Sequence, residues 1–259
     1  MFRKILHLNK TRVFKEKFSS YLPAITYPDD VYLVSYPKSG NTWVRFLVAN
    51  LLNTNRESIV DFHTIEYFVP EVIRNNDLIN ELNRPRIIKS HGCYIKYPKI
   101  IYIMRDGRDV YTSYYYYRRK RVLGNTTFRE FLESEKHYPC LWGEHINYWL
   151  DQISSSNLLL IRYEDLIENT SYLLQEIAKF IGIETDLESI ERAVQLSKFE
   201  NMRKIESKRG RPYNETDSFM RRGTIGNWKE VFGNEEKNIF KKREGKVLIR
   251  SGYASDLDW

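Results

Sequence analysis

The sequence has few cysteines, no long apolar run and no tract of low complexity. Its two cysteines, Cys93 and Cys140, lack the C-x-x-C spacing of a zinc site, so neither a disulfide scaffold nor a structural zinc site is expected. No apolar stretch approaches the ~20 residues that a membrane-spanning helix needs. Residues 1–17 are basic but interrupted by polar side chains, unlike a signal peptide. These absences predict a cytoplasmic protein without stable membrane insertion.

What the sequence does have is an excess of positive charge. The net charge of +7 favours an anionic partner, which on charge alone could be nucleic acid, a membrane surface or a phosphorylated small molecule. A hydrophobic content of 42% is ordinary for a globular protein. No Pro-, Gly- or Ser-rich linker divides the 259 residues, so we predict one domain over residues 1–259.

Short apolar runs alternate with segments of helical periodicity along the chain. This alternation predicts an α/β fold with a mostly parallel central sheet flanked by helices. Ligands of such sheets bind at the carboxyl ends of the strands. The predicted strands are 31–35, 86–89, 100–104 and 158–162, and the predicted helices are 42–52, 108–119, 165–181 ended by Gly182, and 235–251 with Asn234 as N-cap.

The turn after the first predicted strand has the composition of a phosphate-binding loop. Lys38 supplies positive charge, Gly40 allows close backbone approach, and the following helix offers free N–H groups. The turn differs from the Walker A pattern, because Lys38 precedes Gly40 and no earlier glycine opens the loop. The strand at 100–104 ends in Arg105, where an ATPase would place a carboxylate for magnesium. A second phosphate near Arg105 is therefore the better prediction.

Three motifs in this order resemble those of the sulfotransferases that use 3′-phosphoadenylyl sulfate (PAPS) as donor. The resemblance spans residues 36–229 and implies a P-loop-like strand–loop–helix. It also implies sulfuryl transfer from PAPS without a metal, leaving adenosine 3′,5′-bisphosphate (3′,5′-ADP). The matching segments are Tyr36-Pro37-Lys38-Ser39-Gly40-x-Thr42-Trp43, Arg105 with Ser113, Arg221-Arg222-Gly223 with Gly226-x-Trp228-Lys229, Tyr163-Glu164-Asp165 and Phe199-x-x-Met202.

The resemblance also implies a role for each of these segments. The 5′-phosphosulfate would be held by Lys38, Ser39, Gly40, Asn41 and Thr42. The adenine would lie between Trp43 and Phe199, since flat apolar rings stack on a base, with Tyr163 and Met202 nearby. The 3′-phosphate would be held by Arg105, Ser113, Arg221, Arg222 and Gly223, because arginine can bond two oxygens at once.

His91 is the histidine that best fits a catalytic role. It follows the predicted strand 86–89 at the ligand edge, and Lys89-Ser90-His91 resembles the family's Lys-Thr-His segment. His91 would be the general base that takes the acceptor's proton. Lys38 and Lys89 would stabilise charge on the sulfuryl group, and we count Ser113 with this catalytic group as well. His145 is expected to be a packing residue.

The sequence leaves the acceptor and two alternative functions open. We expect a hydroxyl or amine acceptor on a small molecule or glycan, and no nucleic acid. Tyrosines 114–117 could line its pocket or belong to the core, and the basic run 118–121 could meet an acidic acceptor. Residues after Lys229 lack the Lys-Thr-Val-Glu segment of many dimeric members, so the oligomeric state stays open. The alternatives are a P-loop nucleotide kinase and a non-catalytic polyanion-binding protein.

One further expectation concerns the charged stretch between Met202 and Arg222. It has almost no apolar periodicity and contains Gly210 and Pro212, so no buried element is expected there. Because it leads into the proposed 3′-phosphate clamp, we predict that residues 204–219 form a lid that is mobile without nucleotide and ordered by it.

Overall fold

The computed structural model describes residues 22–93, 95–212 and 218–259. Within them lies a four-stranded parallel sheet, in which the first strand of the chain lies between the second and the third, and the fourth lies beyond the third. All predicted strands are present, two of them with slightly shifted ends. The strands are β1 (Val31–Ser35), β2 (Ile87–Ser90), β3 (Lys99–Met104) and β4 (Leu158–Arg162). The predicted α/β class with a parallel sheet is therefore confirmed.

Helices cover both faces of this sheet. On one face, Leu33 packs in a cluster with Leu47 of the helix that follows β1. On the other face, Tyr32 packs in a cluster that contains Trp149. The helices are α1 (Asn41–Leu52), α2 (Asn76–Glu81), α3 (Gly107–Arg118), α4 (Phe128–Glu133), α5 (Trp142–Leu150), α6 (Tyr163–Glu168), α7 (Thr170–Ile181), α8 (Leu187–Leu196), α9 (Phe199–Arg209) and α10 (Asn234–Arg250).

The helix predicted over 165–181 is two helices in the structure. The backbone leaves helical geometry at Asn169, between α6 and α7, while Gly182 ends α7 in the left-handed conformation as predicted. The prediction of Asn234 as N-cap was wrong, because Asn234 is the first helical residue and Gly233 occupies the cap. There the Glu236 carboxylate accepts from the Gly233 N–H at 2.9 Å, which satisfies the start of α10.

The stretch after Met202 is partly helical. Helix α9 continues to Arg209, and its Glu206 is buried. The Glu206 carboxylate accepts from the N–H groups of Phe219, at 2.6 Å, and Met220, at 3.1 Å. Residues 203–209 are therefore helical but not a buried element, since five of these seven residues are exposed and only Glu206 is buried. The Glu206 carboxylate joins α9 to the chain that returns to the site. Residues 213–217 of the predicted lid lie outside the described residues, and the lid's mobility stays a prediction.

Candidate active site

The turns after β1, β2 and β3 open into one cavity of about 830 Å³. Chain segments from α9 and from residues 219–224 form its opposite wall. Every predicted site residue except Ser39 lines this cavity. They are Lys38, Gly40, Asn41, Thr42, Trp43, Lys89, His91, Arg105, Ser113, Tyr163, Phe199, Met202, Arg221, Arg222 and Gly223.

The turn between β1 and α1 has a backbone that only certain residues adopt easily. Lys38 has φ of 70° and Gly40 has φ of 100°, both in the left-handed region. A Cβ on Gly40 would lie 2.5 Å from Cδ2 of Tyr163, so glycine is needed for space as well as conformation. The turn leads directly into α1 at the cavity wall, and the first N–H groups of a helix lack helical partners and can bind an anion.

Two polar side chains of this turn face the protein rather than the cavity. Asn41 Nδ2 donates to the carbonyl of Leu33 and to Ser35 Oγ, both at 3.2 Å, so its amide joins α1 to β1. Any contact of Asn41 with the donor would come from its backbone N–H. Ser39 is fully buried, and its Oγ has no partner within the described residues. Thr42 lies at the cavity wall.

Lys38 is the cation of the turn, and aromatic rings surround its ammonium. Its Nζ lies 3.4 Å from the centre of the Phe219 ring and 4.5 Å from that of Tyr117. Burial lowers the pKa of Lys38 well below its usual value, and nearby arginines such as Arg211 and Arg105 lower it further. An anion bound beside Lys38 would raise this pKa again and so favour the charged ammonium.

Arg105 lies at the end of β3, between the Lys38 turn and the opposite wall. Its Nη1 donates to the Lys38 carbonyl at 3.2 Å and its Nη2 to the Thr224 carbonyl at 2.9 Å, while Nε has no partner within the described chain. The guanidinium carbon lies 4.2 Å from the centre of the Tyr163 ring. The Asp109 carboxylate is 3.7 Å away, so this ion pair is a long one.

The Arg221–Gly223 segment lies beside Arg105, with its two arginines in different settings. The Arg221 guanidinium stacks 4.8 Å from the Tyr116 ring centre. Arg222 is exposed and donates to Glu230 at 2.5 Å. Gly223 has φ of 69°, and a Cβ there would lie 2.5 Å from the Phe199 ring. The segment is thus fitted closely against the ring predicted to stack on adenine.

The predicted adenine-binding residues form a continuous apolar wall. Trp43 packs edge-on against Tyr163, with ring centres 5.9 Å apart. The Tyr163 hydroxyl donates to the Gly223 carbonyl at 3.1 Å, which ties α6 to the third motif. Phe199 is partly exposed at the start of α9, and Met202 is buried one turn later. Trp43 and Phe199 therefore both present ring surface to the cavity.

His91 lies just beyond β2, and its ring is held by the neighbouring strand. Its Nδ1 lies 2.7 Å from the Ser35 carbonyl. Because a carbonyl can only accept, Nδ1 carries the proton and Nε2 carries the lone pair. Burial lowers the pKa of His91 to about 3, with Lys89 adding to the effect, so the ring is neutral at physiological pH. This is the protonation state that a general base requires.

Four charged residues near His91 were missed by sequence reasoning. Lys89 Nζ donates to the buried Glu71 carboxylate at 2.8 Å, and Arg74 Nε lies 3.2 Å from the same group. Arg45 pairs with Glu66 at 2.8 Å. The four residues that the sequence did not reveal all line the cavity: Arg45, Glu66, Glu71 and Arg74. No local pattern marks them, because folding alone brings residues 66–74 beside β2.

Behind His91, the structure places residues that pack rather than react. His145 is fully buried, with Nδ1 2.8 Å from the Tyr102 hydroxyl, as expected of a packing residue. The free thiols of Cys93 and Cys140 lie with their sulfurs 3.1 Å apart. Among tyrosines 114–117, Tyr114 and Tyr115 are buried, and both Tyr114 and Tyr117 line the cavity. The described residues contain no group of three or more His, Cys, Asp or Glu that could hold a metal ion.

Comparison with known proteins identifies the family. The sulfotransferase domain model matches residues 28–252. The chain belongs to the sulfotransferase family. It is 27% identical to Sulfotransferase 1E1 of Bos taurus, over 89% of this chain and 87% of that protein. It is 28% identical to the 3-beta-hydroxysteroid sulfotransferase of Cavia porcellus, over 83% and 82%.

The fold is shared with solved sulfotransferases. Mouse sulfotransferase SULT7A1, complexed with PAP, superposes with a TM-score of 0.73 at 21% identity, over 92% of this chain and 90% of that one. Family membership confirms the predicted reaction class: this sulfotransferase transfers a sulfuryl group from PAPS to an acceptor. The kinase and the non-catalytic binder are thereby set aside. In the parts of the chain that the structure describes, no helix combines the length and apolarity needed to cross a bilayer.

Proposed function

We propose that this sulfotransferase acts on a small molecule through a hydroxyl or amine group, with His91 as the general base. The observation that carries the proposal is the orientation of His91. Its Nδ1 proton is donated to the Ser35 carbonyl, so Nε2 is the proton acceptor, in the same cavity as the Lys38 turn. The low pKa keeps this nitrogen unprotonated before the reaction.

The residues around the cavity fit PAPS as donor. Unsatisfied buried donors lie where its 3′-phosphate is expected, since Arg105 Nε and Arg221 Nε find no partner among the described residues. We assign the 5′-phosphosulfate to Lys38 and the backbone N–H groups of residues 39–42. We assign the 3′-phosphate to Arg105, Ser113 and the 221–223 segment, and the adenine to the space between Trp43 and Phe199, next to Tyr163 and Met202.

In the transfer step, the acceptor oxygen or nitrogen forms a bond to sulfur while the bond from sulfur to the bridging phosphate oxygen breaks. The acceptor's proton passes to Nε2 of His91. Negative charge grows on the leaving 3′,5′-ADP, and the Lys38 and Lys89 ammonium groups are placed to stabilise it. PAPS supplies the sulfuryl group; the protein supplies the base and the cations.

The acceptor is proposed to be small because the cavity must hold both partners. Its volume of about 830 Å³ suits a nucleotide and a compound of modest size, whereas a glycan would have to enter by one end. One relative is named for a 3-beta-hydroxysteroid, which is an acceptor of this size. Nucleic acid is not proposed as a partner. A single domain over residues 1–259 and a cytoplasmic location are also proposals, the latter supported by a relative named Cytosolic sulfotransferase 1.

The donor assignment is tested by thermal unfolding with two nucleotides. Adenosine 3′,5′-bisphosphate at about 100 times its Kd should add roughly 2.7 kcal/mol of stability, which corresponds to a rise in Tm of ~5–10 °C. ATP with magnesium should raise Tm much less. A larger rise with ATP and magnesium would contradict the assignment of Arg105 and its neighbours to a 3′-phosphate.

The acceptor is tested by a screen with ³⁵S-labelled PAPS against phenols, alcohols, steroids, amines and oligosaccharides. We expect labelled product from a small hydroxyl or amine compound, formed ~10²–10⁴-fold more slowly after His91→Ala. Transfer confined to polymeric glycans would contradict the small-molecule proposal.

A further inference from the structure

Glu71 and Lys89 are joined by backbone as well as by side chains. The Lys89 N–H donates to the Pro70 carbonyl at 2.8 Å, and the Val72 N–H donates to the Lys89 carbonyl at 3.0 Å. Residues 70–72 thus run parallel to β2 for one bridge, with Glu71 opposite Lys89. This pairing fixes the distance between the two side chains, whose charged atoms lie 2.8 Å apart.

The carboxylate of Glu71 is itself held firmly. Its side chain is 8% exposed and that of Lys89 is 11% exposed, so water contributes little to either charge. Arg74 contacts the second oxygen of Glu71 at 3.2 Å. The Glu71 N–H donates to Glu66 at 2.9 Å, and Glu66 is paired with Arg45. Glu71 is therefore a fixed anion in a wall that also carries three cations.

The Lys89 ammonium needs a neighbouring anion such as the Glu71 carboxylate to stay charged in this wall of the cavity. Removing a charge from water is costly, and the neighbouring Arg45 repels a second cation. We propose that Glu71 is a positioning residue that holds the Lys89 ammonium beside His91 and keeps it protonated for the sulfuryl transfer. This inference rests on the proposed roles of Lys89 and His91.

The electrostatics of the wall agree with this geometry. Burial lowers the pKa of Lys89, and Arg45 lowers it further, whereas Glu71 and Glu66 act in the opposite direction. Burial acts to raise the pKa of Glu71, but Lys89, His91 and Arg74 together bring it to about 2, so the carboxylate is ionised. Glu71 also raises the pKa of His91 against the effects of burial, Lys89 and Arg45. Loss of Glu71 should therefore lower the pKa of both Lys89 and His91.

The test is an NMR titration of the full chain labelled with ¹³C at lysine Cε. The Lys89 signal is identified as the one that disappears in Lys89→Met. In Glu71→Gln, which keeps the shape and removes the charge, we expect its titration midpoint to fall by about one to three pH units. Glu71→Asp, which keeps the charge on a shorter side chain, should give a smaller fall, and it serves if Glu71→Gln does not fold.

Glu188→Gln is the matched control, because it removes an exposed carboxylate that pairs with Arg56 at the surface. It should leave the Lys89 midpoint unchanged. An unchanged midpoint in folded Glu71→Gln or Glu71→Asp would overturn the inference, and so would an equal fall in Glu188→Gln.

Activity separates this inference from the proposed function. With PAPS and the acceptor found in the screen, Glu71→Gln should lower kcat at least tenfold with little change in KM for PAPS. The alkaline limb of its kcat–pH profile should move to lower pH. A uniform loss of kcat at every pH would indicate a merely structural role and overturn the inference. If wild-type enzyme gives no product, the proposed function fails, while the Lys89 titration still decides the role of Glu71.

Discussion

At the scale of single residues, neighbouring side chains determine which polar group can act on a substrate. Asn41 and His91 both follow strands of the sheet. The Asn41 amide group donates to the Leu33 carbonyl and to Ser35 Oγ. His91 uses only Nδ1 for the Ser35 carbonyl, and its side chain lines the cavity. Lys38 and Lys89 both have partly buried side chains, but among the described residues only Lys89 pairs with a carboxylate. The type of a residue therefore makes it a candidate for the site, and the contacts of its side chain decide what it can do there.

Replacing His91 tests its proposed role as the general base. His91→Ala should cut kcat by ~10²–10⁴, the usual contribution of a general base, because no other group then accepts the acceptor's proton. Affinity for adenosine 3′,5′-bisphosphate should stay within a few-fold, as measured by calorimetry. His63→Ala, which removes an exposed histidine outside the cavity, is the control. Near-normal turnover of His91→Ala with a confirmed acceptor would contradict the assignment.

Replacing Arg105 should have the opposite pattern. Arg105→Ala removes a buried guanidinium whose Nε is unsatisfied in the described structure, and a charge-assisted bond contributes about 1.5–3 kcal/mol. We expect Kd for adenosine 3′,5′-bisphosphate to rise about 10- to 100-fold, with a small change in kcat at saturating PAPS. Arg250→Ala, which breaks an exposed pair with Asp151, should leave Kd unchanged. A normal Kd in Arg105→Ala would place the 3′-phosphate elsewhere.

At the scale of elements, the wall of the proposed donor site is held together by hydrogen bonds between helix side chains and the backbone of a loop. Glu206 of α9 accepts from the N–H groups of Phe219 and Met220, and Asp109 of α3 accepts from those of Gly226 and Trp228. Each contact fixes one end of the segment that carries Arg221–Gly223. The third motif is thus anchored from two helices that are distant in sequence.

Two glycines in this segment permit a matched experiment. Gly223 and Gly226 both have positive φ, so alanine at either should cost about 1–2 kcal/mol of stability. Only at Gly223 would the new Cβ meet a neighbour, the Phe199 ring at 2.5 Å, while Gly226 has open space. Gly223→Ala should therefore weaken nucleotide binding on the order of tenfold through lost stacking, and Gly226→Ala should not. Equal Kd values in the two variants would disprove the stacking role of Phe199.

At the scale of the whole molecule, the burial of histidine side chains makes the stability of the fold depend on pH. His137 packs among Tyr111, Phe131 and Tyr114, and its Nε2 lies 3.1 Å from the Phe131 carbonyl. Burial lowers its pKa from 6.5 to about 4, and Arg243 adds to this. Between these two pH values the unfolded chain binds a proton that the folded chain does not. The stabilisation that comes from keeping His137 neutral is therefore fully present above pH 6.5 and is lost as the pH falls toward 4.

This linkage can be measured with His137→Gln. From pH 7 to pH 5, the wild-type free energy of unfolding should fall by about 2 kcal/mol more than that of the variant, because the variant lacks this proton site. Urea denaturation at the two pH values gives the comparison. His63→Gln, which removes an exposed imidazole, should fall as the wild type does. Parallel behaviour of His137→Gln and wild type would show that His137 is not the group responsible.

The sequence by itself determined the strands, the order of the motifs and a set of predicted donor-binding residues, all of which except Ser39 line one cavity. Those features are local: a short apolar run, a glycine turn and a helix start can be recognised within a few neighbouring residues. Because parallel strands bring their carboxyl ends to one edge, the sequence also predicted that the turns carrying Lys38, His91 and Arg105 would meet.

Only the tertiary structure decided which partner each polar group has. Glu71 forms an ion pair with Lys89, and Glu206 accepts hydrogen bonds from the N–H groups of Phe219 and Met220. The spacing of these residues in the sequence does not predict either contact. The charged side chains of α9 resembled those of a loop, although Phe199, Met202 and Ile205 of this helix pack against one hydrophobic cluster and Glu206 is buried beside them. A carboxylate acquires its role from the cations and N–H groups that folding brings to it, so the charges around His91 could be read only once the chain was folded.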